Sequence, residues 1–301
     1  MTWAPTLRQL EYLVAVADVG GFGRAARRCA VSQPALSKQV QEVEAGLGLQ
    51  LFERGPRGAT PTLAGADLVE RARRILAQAR ELVDAAAALR DPLAGVVRLG
   101  AIPTLAPYVL PALVDAVRRE LPALELQLLE EQTSVLGDRL LGGDLDLAIV
   151  ALPYPRPGLA VRGLYEEPLL LVTPADHPLA GERPLLRSEL AGHALLLLRQ
   201  GHCLRDHVLQ ACGTQRDTGA AVEASSLGTL LLMVRQGMGA ALIPRMALPV
   251  DRTGICVRRF AAPEPTRGVG LWWRPSSPRA ALFERLGALL REDGIAQGTA
   301  Q

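Results

Sequence analysis

The chain of 301 residues is poor in lysine, cysteine, aromatic residues and long apolar runs, and each shortage narrows what it can be. Lys38 is its only lysine, so the 33 basic residues are almost all arginine. Four unevenly placed cysteines do not make an extracellular disulfide framework. Apolar runs such as Leu169 to Val172 and Ala194 to Leu198 fall far short of the ~20 residues of a membrane span. The start, Met1-Thr-Trp-Ala-Pro-Thr6, has neither the basic nor the apolar region of a secretory signal, so the expected compartment is the cytoplasm, with no membrane partner. There is no phosphate loop, nucleophile elbow or His-Glu-x-x-His pattern. His177 and His193 lack partners at metal-ligand spacing. The expectation is therefore no metal, no cofactor and no enzyme activity. Aromatic residues make up 4% and no repeat or low-complexity segment stands out.

What is present is core material. Apolar residues are 49% of the chain, enough for two or three cores at ~150 residues per domain. The net charge of +2 permits nucleic acid as a partner without requiring it. The first ninety residues read as helical. Thr6-Leu-Arg-Gln9 fits a capping box, followed by Leu10, Leu13, Val14 and Ala17 on one helical face. Gly20-Gly21 stops that helix, and a second carries Ala25, Ala26 and Cys29 before a break at Ala30-Val31. Ser32 caps a third helix with Pro34 in its first turn, Leu36, Val40, Val43 and Leu47 inward, and Gly46 and Gly48 at its end. Leu49 to Arg54 and the turn Gly55-Pro-Arg-Gly58 predict a small wing. From Thr62 to Arg90, Leu68, Ala72, Ile75, Ala79, Leu82, Ala86 and Leu89 form an a/d seam suited to pairing two copies, although packing on its own domain stays open.

Asp91-Pro-Leu-Ala-Gly95 is a hinge-like linker, after which strands alternate with helices. The strands expected are Val96 to Ala101, Leu124 to Leu129, Leu145 to Val150, Leu169 to Thr173, Ala194 to Leu198, Ala221 to Ala224, Ala240 to Pro244 and Gly268 to Arg274. Their alternation with helices predicts mostly parallel sheets in two α/β lobes with a cleft between them.

The stretch Phe22 to Glu44 has the layout of a helix-turn-helix, with Gln33, Pro34, Ala35, Ser37, Lys38 and Gln41 facing outward. Arg24, Arg27, Arg28, Lys38, Arg54 and Arg57 are candidate phosphate contacts. Leu7-Arg-Gln-Leu-Glu-Tyr-Leu13, Phe22 to Ala26, Val31-Ser-Gln-Pro-Ala-Leu-Ser37, Leu51-Phe-Glu-Arg54 and Thr60-Pro-Thr-Leu-Ala-Gly65 resemble the N-terminal domain of LysR-type transcriptional regulators. The resemblance implies an α+β multidomain protein: a winged helix-turn-helix, a long dimerising linker helix, and a two-lobed α/β effector domain like a periplasmic binding protein. The expected divisions are residues 1–62, a linker at 63–90, a hinge at 91–95 and an effector domain at 96–301. Within the last, lobe I takes about 96–165 and 268–301 and lobe II about 166–267. DNA-binding residues implied are Arg24, Arg27, Ser32, Gln33, Pro34, Ala35, Ser37, Lys38, Gln41 and Arg54.

The other informative stretch is Gly201-His-Cys-Leu-Arg-Asp-His-Val-Leu-Gln-Ala-Cys-Gly213. Cys203 follows a glycine break near the start of a helix, with His202 and Arg205 close by, a setting that favours thiolate. Nine residues on, Cys212 would lie ~13 Å away along a continuous helix. A disulfide needs Cα atoms within about 7 Å, so pairing would require unwinding. The spacing alone leaves open two unrelated thiols. The segment, with Ile102-Pro-Thr104, Pro107-Tyr108, Glu131-Gln-Thr133, Ser226-Leu227 and Pro263-Glu-Pro265, is similar to the peroxide-sensing subfamily of LysR-type regulators. That resemblance implies Cys203 as the peroxidatic and Cys212 as the resolving cysteine. It implies Thr104, Thr133, His202 and Arg205 as peroxide-binding or thiol-tuning residues, with Arg205, Asp206 and Arg267 holding the reduced arrangement as the alternative role. Ala221 and Val222 depart from the subfamily, which often has a His and an aromatic there. Cys29 is expected in the helix-turn-helix core, and Cys256 has no assigned role.

The expectation is a transcriptional regulator that senses hydrogen peroxide through a reversible Cys203–Cys212 disulfide. Its partners would be double-stranded promoter DNA, further copies of itself as dimer or tetramer, thiol reductants of the glutaredoxin or thioredoxin type, and RNA polymerase. The alternatives are a LysR-type regulator switched by a metabolite between the lobes, and a thiol peroxidase. The DNA-reading arm argues against the peroxidase.

Overall fold

The fold is that of a computed structural model, which describes residues 3–55, 58–193, 195–211 and 223–292. It divides into two units, Met1–Ala86 with Leu141–Asp144, and Ala87–Leu140 with Leu145–Gln301. No helix among the described residues is long and apolar enough to cross a membrane.

In the first unit, local chemistry sets most boundaries. Helix α1 (Leu7–Val19) opens on a reciprocal capping box, in which Gln9 N donates to Thr6 Oγ1 at 3.2 Å and Thr6 N donates to Gln9 Oε1 at 2.9 Å. It ends at Gly20, whose φ of 64° is left-handed. Helix α2 (Phe22–Arg28) is followed by Ala30 at φ 55°, the turn that redirects the chain into α3 (Gln33–Leu47). Ser32 caps α3 by accepting from Ala35 N. Leu10, Leu13, Val16, Ala25, Ala26, Leu36, Val40 and Val43 are buried together in one core. Leu47 departs from its expected inward position: at the last turn it is 38% exposed. Gly46 does not end the helix either; it lies within it, under the Trp3 ring, while Gly48 at φ 66° makes the stop.

The wing is a hairpin of β1 (Phe52–Gly55) and β2 (Gly58–Pro61). Its first strand starts three residues later than expected. Glu44 Oε1 accepts from both Leu51 N (2.8 Å) and Phe52 N (3.2 Å), which holds the preceding chain against α3 instead of a strand. Helix α4 (Leu63–Arg90) begins where the Thr62 hydroxyl accepts from Gly65 N. Gly65 crosses the Leu51 carbonyl so closely that a Cβ would lie 1.9 Å from its oxygen. Val69, Ala72 and Leu76 bury into the same core. Of the expected seam, Ala72 therefore faces its own unit, whereas Ile75, Leu82 and Leu89 are exposed.

The second unit holds two apolar cores joined by one long strand. Its order is β3 (Gly95–Ala101), α5 (Ala106–Glu120), β4 (Leu124–Glu130), α6 (Thr133–Leu141), β5 (Leu147–Leu152), β6 (Ala160–Pro174), β7 (Leu197–Leu198), α7 (Cys203–Ala211), β8 (Glu223–Ala224), α8 (Leu227–Arg235), β9 (Ala241–Pro244), β10 (Ile255–Arg258), β11 (Thr266–Trp273) and α9 (Ala280–Glu292). The main sheet runs β10-β6-β11-β5-β3-β4, with β9 also on β6. The expected mostly parallel pairing fails. β3 pairs β4 and β5 in parallel, but β11 with β5, and β6 with β9, β10 and β11, are antiparallel. The reason is β6, which has 15 residues where five were expected. Residues 160–168 pair β11 in the first core, and 169–174 pair β9 and β10 in the second. Expected strands around 194–198 and 221–224 shrink to the two-residue pair β7–β8; residues 194, 221 and 222 lie outside the described ones.

Candidate thiol site and nucleic-acid face

Cys203 is the first residue of α7 and joins the core built from β3, β5, α5 and α9, while Leu204, Val208 and Ala211 of the same helix pack into the other core. The helix thus starts on the seam between the two. Gly201 makes that start possible. Its φ is +97°, in the left-handed region that a residue with a Cβ adopts only under strain.

The Cys203 thiol is 5% exposed, and burial pushes its pKa up. The Thr133 hydroxyl and the Arg267 charge pull the other way, favouring thiolate; Asp206, exposed on the next turn, works against it. Thr133 Oγ1 is buried and makes no geometrically satisfactory hydrogen bond of its own, so its interaction with the sulfur leaves bonding capacity for a further polar partner. The site therefore holds a protonated thiol beside a hydroxyl and a guanidinium. This corrects the expectation of a lowered pKa: at this depth desolvation outweighs the helix start.

Arg267 is the fixed point of the site. Its side chain is fully buried and its Nε and Nη2 lie 2.9 and 2.8 Å from Glu167 Oε2. Nη1 donates to Thr104 Oγ1 at 2.9 Å and Nη2 to Thr104 O at 3.1 Å. Arg267 and Glu167 are cross-strand partners on β11 and β6. Glu167 was missed by sequence reasoning. No local signal marks it: Pro168 separates it from the apolar run that ends β6, and its role comes from the register opposite Arg267.

Arg205 is held by groups on either side of α7. Its Nη1 donates to Leu198 O (2.9 Å) and Glu223 Oε1 (3.0 Å), tying α7 to β7 and β8, because its position on the helix points it at that small sheet. The charges acting on Cys203 are those of Arg267 and Asp206. His202 is buried, and burial together with Arg199 holds it below its usual pKa, so it is neutral and supplies no positive charge for a thiolate. Cys212 lies outside the described residues. Cys29 sits half-buried at the end of α2, against its unit's core, and Cys256 is half-buried on β10 with its sulfur accepting from Gly181 N. His177 and His193, unrelated by spacing, lie with ring centroids 5.7 Å apart and planes tilted by 54°, but among the described residues no cluster of three or more ligands is suited to a metal.

On the other unit, Ser32, Gln33, Pro34, Ala35, Lys38 and Gln41 are exposed along α3, with Ser37 half-buried. The Arg54 guanidinium lies over the Phe22 ring at 4.4 Å and donates to Ser37 Oγ at 3.0 Å, so the wing and α3 present one surface. Arg24, which bonds Gly20 O, and exposed Arg27 flank a cleft lined by Phe22, Gln33, Ser37 and Arg54. Arg28 is instead engaged by Asp18 at 2.8 Å. Arg57 lies outside the described residues. Exposed basic groups around a capped helix start suit a phosphate backbone, with short polar side chains towards base edges.

Comparison with known proteins gives consistent matches at both ends. Residues 7–66 match the bacterial regulatory helix-turn-helix protein family, lysR type, and residues 90–294 match the LysR substrate binding domain. A probable hydrogen peroxide-inducible genes activator from Streptomyces viridosporus is 43% identical over 96% of this chain and 94% of its own. A full-length OxyR variant from Pseudomonas aeruginosa superposes with a TM-score of 0.80 at 37% identity, covering 99% of both chains. A peroxide-bound OxyR mutant from Corynebacterium glutamicum superposes at 0.66 and 37% identity, over 98% of this chain and 96% of that one.

Proposed function

Since the chain belongs to the LysR family of bacterial transcriptional regulators, and within it resembles the peroxide-inducible activators, we propose that it binds promoter DNA and changes state when hydrogen peroxide oxidises Cys203. The observation that carries this reading is the placement of Cys203 at the head of α7, buried beside the Thr133 hydroxyl and under the influence of Arg267. A small polar oxidant fits that requirement, because it brings hydrogen-bonding atoms to Thr133 and Thr104.

The chemistry balances as two displacements. The Cys203 thiolate attacks one peroxide oxygen, the O–O bond breaks, and the departing hydroxide takes a proton to leave as water, giving a sulfenic acid. The Cys212 thiol then attacks that sulfur, expels water and closes a disulfide. Two electrons pass from the two sulfurs to peroxide. A dithiol reductant of the glutaredoxin or thioredoxin type reverses the bond by exchange. Nine residues of helix would hold the sulfur-bearing positions ~13 Å apart, so closure unwinds α7. That unwinding is the signal.

In this scheme residues 1–62 read DNA, 63–90 pair two chains, 91–95 act as a hinge and 96–301 sense, in the cytoplasm, with RNA polymerase as the downstream contact. The exposed Ile75, Leu82 and Leu89 support the pairing helix. Intact-mass analysis after one equivalent of peroxide should show loss of two hydrogens, mapped to the Cys203 and Cys212 peptides. Cys203→Ser should abolish both this change and the response on DNA. A peroxide-dependent intramolecular disulfide in Cys203→Ser would sink the assignment.

A further inference from the structure

We infer that Glu167 is a positioning residue for the reaction at Cys203: it locks the Arg267 guanidinium onto Thr104 at the join between the two cores. The inference rests on the peroxide reading of Cys203, and no motif singled out from the sequence includes this carboxylate.

Glu167 lies where β6 passes from one core to the other. Pro168 pairs Thr266 at the start of β11, and from Leu169 onward β6 pairs β9. One carboxylate oxygen, Oε2, takes both Nε and Nη2 of Arg267; the other, Oε1, accepts from Met246 N at 2.8 Å. The main chain thus fixes the carboxylate from behind, and the carboxylate fixes the guanidinium. The remaining donors of Arg267 reach across to the hydroxyl and carbonyl of Thr104. Because Thr104 Oγ1 accepts from Nη1, its own hydrogen is left to donate to a bound oxidant. Both partners of the pair are buried, at 0% and 3% side-chain exposure, where a guanidinium without its counter-charge is not held in place.

Other titratable groups face the pair. Tyr108 of α5 and Tyr165 of β6 feel both charges, and burial pushes both phenols up. From α7, His207 feels Arg267, with Asp206 and Glu166 opposing, and is held below its ordinary value by burial; His202, just before the helix, is lowered by burial and Arg199, while Cys203 itself lies under Arg267 and Asp206. Burial raises the Cys203 thiol as well, so it titrates above the ordinary thiol value, where both histidines are already neutral.

The test is the pH profile of Cys203 alkylation by iodoacetamide in the full chain, quantified on the Cys203 peptide, alongside its rate of oxidation by peroxide. Glu167→Gln should move the alkylation midpoint upward, towards that of Arg267→Met, and slow oxidation at least tenfold, while the chain stays folded by circular dichroism. An unmoved midpoint with only a lower Tm would mean that Glu167 merely packs. A downward shift would mean that Thr104 alone holds Arg267. Either result overturns the inference. Should Glu167→Gln fail to fold, Glu167→Asp keeps the charge but draws it back; it should give an intermediate midpoint and rate, and identity with the wild type in both would overturn the inference. Alkylation needs no peroxide. A wild type inert to peroxide would therefore sink the functional reading while the alkylation profile still judges Glu167.

Discussion

At Cys203 two demands conflict, because the core that shields the thiol from large oxidants also opposes the thiolate that reacts. Burial wins in the resting state, so the reactive fraction is small and grows with pH. The rate of peroxide-dependent thiol loss at Cys203, followed by stopped quench and peptide mapping, should rise about tenfold per unit between about pH 6 and 8, the range lying wholly below the thiol's pKa. A flat profile would show the thiolate already formed. The left-handed turn at Gly201 carries a second prediction. Gly201→Ala must hold φ near +97°, where a Cβ is strained, and should lose about 1–3 kcal/mol in urea unfolding. It should also slow oxidation by shifting Cys203 away from Thr133; a variant of wild-type stability and rate would remove the turn from the site. The residues of the thiol segment were legible because their types and spacing stand together in the sequence. The direction of Arg205 was not, since it depends on the helix phase relative to the β7–β8 pair. Glu167 was illegible for a similar reason: its meaning comes from a register that places it opposite a residue 100 positions away.

Elements whose limits are set by neighbours within a few residues were readable, as the Thr6–Gln9 box, the Ser32 cap and the Gly20 stop show. Pairing direction was not. An apolar run of five residues, 169–173, looks the same inside a parallel or an antiparallel sheet, and nothing local announces that β6 continues back to Ala160. Leu47 shows the limit of periodicity: its phase points inward, but the core ends before the last turn of α3 does. Two predictions belong to this scale. Lys38 is exposed on α3, so Lys38→Ala should weaken DNA binding for all sequences alike and reduce the slope of log affinity against log salt by about 1, measured by fluorescence anisotropy. Gln33→Ala should alter sequence preference instead. On α4, Leu82 is 74% exposed in the single chain and sits one heptad from both Ile75 and Leu89. If α4 pairs two chains as proposed, Leu82→Glu buries an unpaired charge there, and sedimentation should report a smaller assembly than for the wild type. An undiminished assembly would place the main interface elsewhere.

Across the whole molecule the histidines are unevenly placed: His177, His193, His202 and His207 all belong to the second unit, and the first has none. Burial, the leading cause in each case, holds His177, His202 and His207 below their ordinary value; His193, Arg199 and Arg267 respectively push the same way. A base whose pKa falls on folding takes up protons more readily when unfolded. Stability therefore rises with pH in the range where the unfolded chain is protonated and the folded one is not. The contribution is complete above the ordinary histidine value of about 6.5 and is lost as pH falls from there through the depressed folded values. Carboxylates titrate mainly below this window, so the histidine effect can be read separately near pH 6. Lowering the pH from about 7.5 to 5.8 should thus weaken the sensing unit while the DNA-reading unit holds, and hydrogen exchange on the full chain should show protection falling in α7 and the strands around it but not in α1 and α3. His207→Asn, which removes the ionisable ring from the face of α7 towards Arg267, should flatten part of that loss. Equal losses in both units would show that the pH response comes from groups other than these histidines.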